Sequence, residues 1–411
     1  MLVVEIYTNR LRCMESVIGA LLERGKRVAL LSLCRYTSEN VQLKRAADGM
    51  GLPFLHWTAA WGYVRARRIA LQFGRSWLGA HRLLQPLHRM MRADGIKGRH
   101  TPGLASRILY GIGRCVLKAV YTRELFSGLL DRHGPRLILT SRGDDTNLRF
   151  LGCAARERRI PVLDIEHGKR LDNSTWMLRD LPHVNFAVSG VGTSGLYAAA
   201  GVGEDRIHVV GSPAFDNLMR DKEGPLPPEI RTPYLLFSSS ATRIHKRWNP
   251  DNSHVRLLAA LDRYLTAVED LSLVIKLHPQ EYHGETADLV DGLNNRERVI
   301  VVRDVPNGPL LAGAEVQISL GSTTTIEAML MRTPAVFVDL YGRSSDFDEA
   351  VEVGAIERVT RLEDLGDAIE RAKNVRFDFE PLERYYAHRL DGRSTERILD
   401  LDVLKQALGT G

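Results

Sequence analysis

The chain has 411 residues, 44% of them apolar and 26% charged, the proportions of a globular protein large enough for two domains with separate cores. No apolar run approaches the roughly 20 residues of a membrane-crossing helix, and Cys13, Cys34, Cys115 and Cys153 are scattered without a Cys-x-x-Cys pair, which argues against a zinc site or a disulfide framework and for a reducing compartment. The net charge of +6 conceals an asymmetry: residues 61–123 hold thirteen Lys or Arg against one acid, Asp94, so this stretch carries +12 and the remainder −6, and the basicity points to a local anionic partner.

Val3 to Tyr7 reads as a first strand rather than a secretory leader. Cys13 to Arg24 has helical apolar spacing and Gly25 ends it. Strands Arg27 to Leu33 and Leu52 to Trp57 follow, with a helix near Asn40 to Gly49 between them. Strands alternating with helices predict a parallel sheet covered on both faces. The basic stretch comes next. Its arginines interleave with Trp61, Tyr63, Trp77 and Tyr110, and Pro86, Gly95, Gly98, Pro102 and Gly103 divide it into three helices. Basic amphipathic helices with aromatic residues suit an anionic membrane surface. No nucleic-acid motif accompanies them, so no nucleic-acid partner is expected.

The sheet resumes at Arg136 to Thr140, which leads through Asp144 and Asp145 into a helix from Thr146 to Arg159. Pro161 to Ile165 ends in Glu166, His167 and Gly168. Val184 to Ser189 and Arg206 to Val210 are the last strands of this half, with a helix from Thr193 to Ala200 between them. Gly190-x-Gly192 with Gly195 has the look of a dinucleotide turn, but no acidic residue closes a second strand about twenty residues on. Residues 217–232, with Pro225, Pro227 and Pro228, read as a linker. The expected division is 1–216, containing a helical basic insertion at 61–130, the linker 217–232, a second α/β domain at 233–375, and C-terminal helices at 376–411 that pack back toward the first domain.

In the second half, Tyr234 to Ser238 ends in Ser239, Thr242, Arg243, His245 and Lys246. Helix Asn252 to Val268 precedes a buried-type strand, Ser272 to Pro279, that ends in Lys276, His278 and Pro279. After Val299 to Arg303 comes Val316 to Leu320, a strand that turns at Gly321 into Ser322, Thr323, Thr324 and Thr325 and a helix carrying Glu327. Gly321 lacks the Cβ that would hinder a sharp turn. The hydroxyls and free N–H groups at a helix start attract a phosphate. Glu327 either suits the helix dipole or reaches a ligand hydroxyl. Two neighbouring strands would thus aim Lys276, His278 and the hydroxyl turn at one crevice, where open α/β sheets bind ligands. On the facing half, Asp144, Asp145 or His167 could act as base, and His278 could give a hydrogen bond or a proton to a leaving phosphate. No cluster has metal-ligand spacing, so a mechanism without metal or added cofactor is expected.

Lys276-Leu277-His278-Pro279, Gly321-Ser322-Thr323-Thr324-Thr325-Ile326-Glu327-Ala328 and Asp391-Gly392-Arg393-Ser394-Thr395-Glu396-Arg397 resemble landmarks of the GT-B glycosyltransferases of bacterial surface polysaccharide assembly. The nearest groups are the capsule transferases of the Kdo and sialic acid type and the CDP-glycerol glycerophosphotransferases, whose His-Gly segment Glu166-His167-Gly168 resembles. Val210 to Asp216 resembles the segment before their linker, and the likeness covers mainly residues 136–400. It implies two Rossmann-like domains facing across a cleft. It further implies a CMP- or CDP-linked donor gripped by the His-Pro turn and the Ser/Thr turn, with Ser239 and Arg243 nearby. The sugar would pass to a glycan or glycolipid acceptor at the inner face of the cell membrane. Asp144 or Asp145 matches the base of one group and His167 that of the other. UDP-sugar 2-epimerases share the architecture. They carry a Gly-Gly turn and an Arg plus acidic segment, where this chain has Gly321-Ser322-Thr323 and Asp339 to Arg343.

Overall fold

The computed structural model describes residues 1–5, 11, 13–33, 37–56, 74, 101–141, 146–168, 183–239, 253–278, 281, 288–342 and 347–409, with the backbone alone at 5, 37, 38, 101–112, 114 and 146–148. Two parallel sheets organise it. The first contains β1 (Leu2–Glu5), β2 (Ala29–Ser32), β3 (Phe54–His56), β4 (Ile138–Thr140), β5 (Val162–Ile165), β6 (Val184–Val188) and β7 (Ile207–Val209), in the order β3-β2-β1-β4-β5-β6-β7. The second contains β8 (Tyr234–Ser238), β9 (Ser272–Lys276), β10 (Val299–Val302), β11 (Val316–Ser319), β12 (Ala335–Val338) and β13 (Glu357–Val359), in the order β10-β9-β8-β11-β12-β13. The strand order of each sheet reverses once, at β1/β4 and at β8/β11. Such reversals open a crevice at the carboxyl ends of the strands.

The strands are legible because both faces of each sheet are covered, so nearly every position is apolar. In β8, Leu235 and Phe237 enter one core while Tyr234 and Leu236 enter the core on the other face. The sequence reading expects β9 and β11 to be neighbours; they are not. β8 lies between them, so the His278 turn and the Gly321 turn stand two strand spacings apart, about 10 Å.

The long helix Thr101–His133 runs through Pro102 and Gly103 without a break. Both residues fall in its first turn, where no intrahelical N–H bond is needed. The rest of the expected basic insertion, apart from position 74, lies outside the described residues. Among the described residues no helix is long and apolar enough to cross a membrane. Helix Pro213–Asp221 extends into the stretch expected as a linker; proline suits its first turn.

The chain crosses back at its end. After helix Phe379–Tyr386, capped by the Asp378 carboxylate accepting from the Glu380 N–H at 3.3 Å, the helices Ser394–Leu399 and Asp402–Leu408 join the first domain. Ile398, Leu399, Leu404 and Ala407 belong to the core formed by β1, β2, β4 and β5. The Asp391–Arg397 landmark is the fastening. The Ser394 N–H donates to Asp216 Oδ2 at 2.8 Å, Arg397 Nε donates to the Val210 carbonyl at 2.7 Å, and Arg397 is held in turn by Asp391. Gly211, at φ +85, makes room: a Cβ there would lie 2.5 Å from Ser394 Oγ.

Because Leu404 is fully buried in the first domain's core, Leu404→Ala is expected to remove about 2–5 kcal/mol of stability. A urea transition with the wild-type midpoint would show that these helices do not help to hold the first domain.

Candidate functional site

The site is the cleft between the carboxyl edges of the two sheets. Its second-domain wall is the turn after β11. Gly321 takes φ +102, a conformation open to glycine, and the hydroxyls behind it hold the bend. Ser319 Oγ accepts from the N–H groups of Gly321 and Ser322, both at 3.2 Å, and pairs with Thr325 Oγ1 at 2.7 Å. Ser322 Oγ accepts from the Thr324 N–H at 3.2 Å and donates to Thr324 Oγ1 at 3.0 Å. Thr324 and Thr325 are buried. Of this turn, Thr323 lines the cleft, followed by Ile326 and Glu327 one turn into the helix Thr324–Leu330. Most of the hydroxyl-rich sequence therefore builds the turn, and Thr323 presents it.

The facing wall is the end of β5. Glu166 is 3% exposed. One oxygen accepts from the N–H and hydroxyl of Ser189 at 2.7 and 2.8 Å, the other from Thr193 Oγ1 at 3.0 Å. Three hydrogen bonds favour the ionised carboxylate and fix its position. His167 and Gly168 follow at the cleft. A Cβ on Gly168 would sit 3.4 Å from Thr323 Cγ2, so the two walls nearly touch. The third side is the crossing helix, with Tyr385 and Tyr386. Both hydroxyls donate to Glu349, and burial pushes the Tyr386 phenol up. Gly190 and Gly192 admit this helix: a Cβ on either would lie 2.1 Å from the Tyr385 carbonyl oxygen or 2.5 Å from its ring. That close approach accounts for Gly190 and Gly192, two of the three glycines that look like a dinucleotide turn; a Cβ on the third, Gly195, would meet nothing within 4 Å.

Between these walls, with Ser212, Ala214 and Phe215 completing the lining, the cavity is about 30 Å³, room for one or two waters. A ligand larger than this does not fit between the described residues of this part of the cleft.

Glu327 links the cleft to the rest of the second domain. Asn307 Nδ2 donates to its Oε2 at 2.6 Å. Burial raises the Glu327 carboxyl above its usual range, opposed by the Asn307 bond and by the positive charge of Lys276. Lys276 and His278 are not among the described residues lining the 30 Å³ cavity. Lys276 Nζ donates to the Arg303 carbonyl. The buried carboxylate of Glu281 accepts from the His278 N–H at 3.0 Å and from the buried hydroxyl of Ser239, tying the ends of β8 and β9 together. Burial, then the nearby charge of Arg303, depresses the His278 imidazole to about 4. At neutral pH this favours the uncharged imidazole, which can donate one hydrogen bond. Asp144, Asp145, Pro279 and Arg243 lie outside the described residues. No sequence pattern marks Asn307, Glu281, Tyr385 or Tyr386, because each has a partner 20 or more residues away.

The His278 imidazole titrates near 6.5 once unfolded and stays neutral in the fold down to about 4. The folded state therefore binds fewer protons across this window. Stability is expected to fall as pH drops from about 6.5 to about 4, at up to about 1.4 kcal/mol per pH unit. His278→Asn should flatten that slope in urea titrations; equal slopes in both proteins would contradict the assignment.

A family model described as UDP-N-acetylglucosamine 2-epimerase matches residues 122–402. Among solved structures, the chain is similar to the Methanocaldococcus jannaschii UDP-GlcNAc 2-epimerase in complex with UDP-GlcNAc and UDP, at 16% identity and TM-score 0.62, covering 100% of both chains. It is also similar to the Neisseria meningitidis UDP-GlcNAc 2-epimerase bound to UDP-GlcNAc, at 13% identity and TM-score 0.58 over 100% of both chains. Acinetobacter baumannii MurG has the same fold, at 13% identity and TM-score 0.50, with 97% of this chain and 98% of that one covered. No curated protein sequence matches the chain. The GT-B-like fold of two parallel-sheet α/β domains is thus shared. The family match overturns the resemblance to capsule transferases and CDP-glycerol glycerophosphotransferases, and with it the expected transferase activity and CMP- or CDP-linked donor. The physical reason is visible in the turns: a glycine bend stiffened by hydroxyls belongs to the fold's ligand crevice whatever reaction runs there, and the Asp391–Arg397 landmark is a fastening between domains.

Proposed function

The chain belongs to the UDP-N-acetylglucosamine 2-epimerase family, and from that premise we propose that it inverts the configuration at C2 of a UDP-linked N-acetylhexosamine. The observation that carries this reading is the extent of the family match. It spans the end of β5, the turn after β11 and the crossing helix, so it includes all three sides of the cleft.

The chemistry sets what the cleft must supply. A C2 proton beside the anomeric carbon is only weakly acidic. Its removal becomes feasible when the electron pair forms a C1=C2 bond as the C1–O bond to the diphosphate breaks. Return of a proton to the opposite face of C2, with the diphosphate oxygen rebonding to C1, yields the epimer and leaves electrons balanced. The path needs a base on one face, an acid on the other and a firm grip on UDP in between.

In this reading the base is His167 on the first-domain wall, or else Asp144 or Asp145, and Glu166 braces the wall that carries His167. Thr323 and a neutral His278, with Lys276 behind it, hold the diphosphate. Glu327 accepts from the ribose hydroxyls, a fitting use for a cleft carboxylate. The domains part to admit the substrate and close to exclude water. We also infer that the basic stretch 61–123 rests on an anionic membrane surface, a reading that salt-sensitive sedimentation with anionic vesicles tests.

Incubated with UDP-GlcNAc in D2O, the protein is expected to form the C2 epimer with deuterium at C2, seen by proton NMR. Recovery of the starting sugar with its C2 proton intact would refute the proposal. UDP should raise the melting temperature while equal CMP or CDP does not. Glu327→Gln should weaken UDP binding about tenfold or more, the worth of a hydrogen bond to a charged group.

A further inference from the structure

Asn307 is the first residue of the helix Asn307–Gly313, and two observations single it out. Its side-chain amide donates to Glu327 Oε2 at 2.6 Å. Its neighbour Gly308 is wedged against helix Pro213–Asp221: a Cβ there would lie 2.9 Å from the Leu218 carbonyl oxygen and 3.1 Å from the backbone of Asp221. The start of this helix is therefore pinned against the helix Pro213–Asp221, whose Leu218 joins the second domain's core, and the amide it carries reaches the carboxylate that lines the cleft.

We propose that Asn307 is a positioning residue for the nucleotide: it orients the Glu327 carboxylate and keeps it ionised, so that the remaining oxygen lone pairs accept from the ligand's vicinal hydroxyls. This rests on the reading that Glu327 receives the ribose.

The carboxylate needs such help. Burial favours its protonated form, and an amide N–H favours the charged form. A protonated carboxyl has lost acceptor capacity and offers a donor where the ligand also offers donors. The other charged and titratable groups at this end of the cleft are Lys276 behind Glu327, Glu166 and His167 on the opposite wall, and Tyr385 and Tyr386 on the crossing helix, with Glu349 under them. An Asn307 substitution leaves all of these in place. The sign follows: ligand affinity is full above the Glu327 pKa and declines as pH falls through it, and without the Asn307 bond that decline begins at higher pH.

The experiment is calorimetric titration of UDP into the full-length protein from pH 5 to 9. Asn307→Leu keeps the shape and removes the amide. It is expected to move the acid limb of UDP affinity up by about one pH unit, a loss of roughly tenfold at the pH of the wild-type midpoint, with affinity near wild type at pH 9. Asn307→Gln, which can restore the donor, should recover part of the shift. An unmoved acid limb in Asn307→Leu, whether or not its melting temperature drops, overturns the proposal. Glu327→Gln separates the two levels. If it leaves UDP affinity and its pH dependence unchanged, the placement of ribose at Glu327 fails and the proposal with it. If it flattens the acid limb while Asn307→Leu does nothing, the positioning role alone fails.

Discussion

The structure depends on how closely the end of the chain can lie on the first domain. At Gly190, Gly192 and Gly211 the backbone meets backbone, a ring and a hydroxyl at distances that no side chain would allow. The contact is then fixed by hydrogen bonds that cross between Ser394 and Asp216 and between Arg397 and Val210. Without this fit, Tyr385 and Tyr386 would not stand at the cleft, and the second domain would be tethered to the first mainly through residues 217–232. Burial raises the Asp216 carboxyl, and the Ser394 bonds and the charge of Arg397 work against that. The fastening is therefore a partly buried polar contact that needs both partners in place.

The cleft is a product of that fit. Each wall is stiffened by a polar group used inward rather than toward a ligand: Glu166 by Ser189 and Thr193, the β11 turn by Ser319, the β8 and β9 ends by Glu281. What remains for chemistry is a small set presented on rigid supports, with Thr323 and Glu327 opposite His167. Held in this way, a group loses little freedom when it engages a ligand.

Much of the fold could be read from the sequence because buried parallel strands are short apolar runs with punctuated ends. Val316 to Leu320, with Gly321 after it, announces a strand and a turn without any partner. The neighbours of a strand are another matter. Nothing in Ser272 to Pro279 says that β8 separates it from β11, since pairing is decided by the whole sheet. The reaction was misread for a related reason. Lys276-Leu277-His278-Pro279 and the hydroxyl turn report a crevice, and crevices of this fold serve several chemistries. Gly190 and Gly192 show the same ambiguity: a glycine written for close approach looks, in sequence, like one written for a phosphate. Asn307 is silent in the sequence because its partner lies twenty residues away in another helix.

The placement of Ile398, Leu399, Leu404 and Ala407 in the first domain's core has a consequence for the chain's birth on the ribosome. Domains generally fold in the order they emerge, but here the first sheet stays short of four core side chains until residues 398–407, beyond the whole second sheet, have been made. The second domain, enclosed between the two parts of the first, has everything it needs sooner. The later-written domain is thus free to mature first, while the earlier one waits, partly unsealed, for its closing helices to emerge.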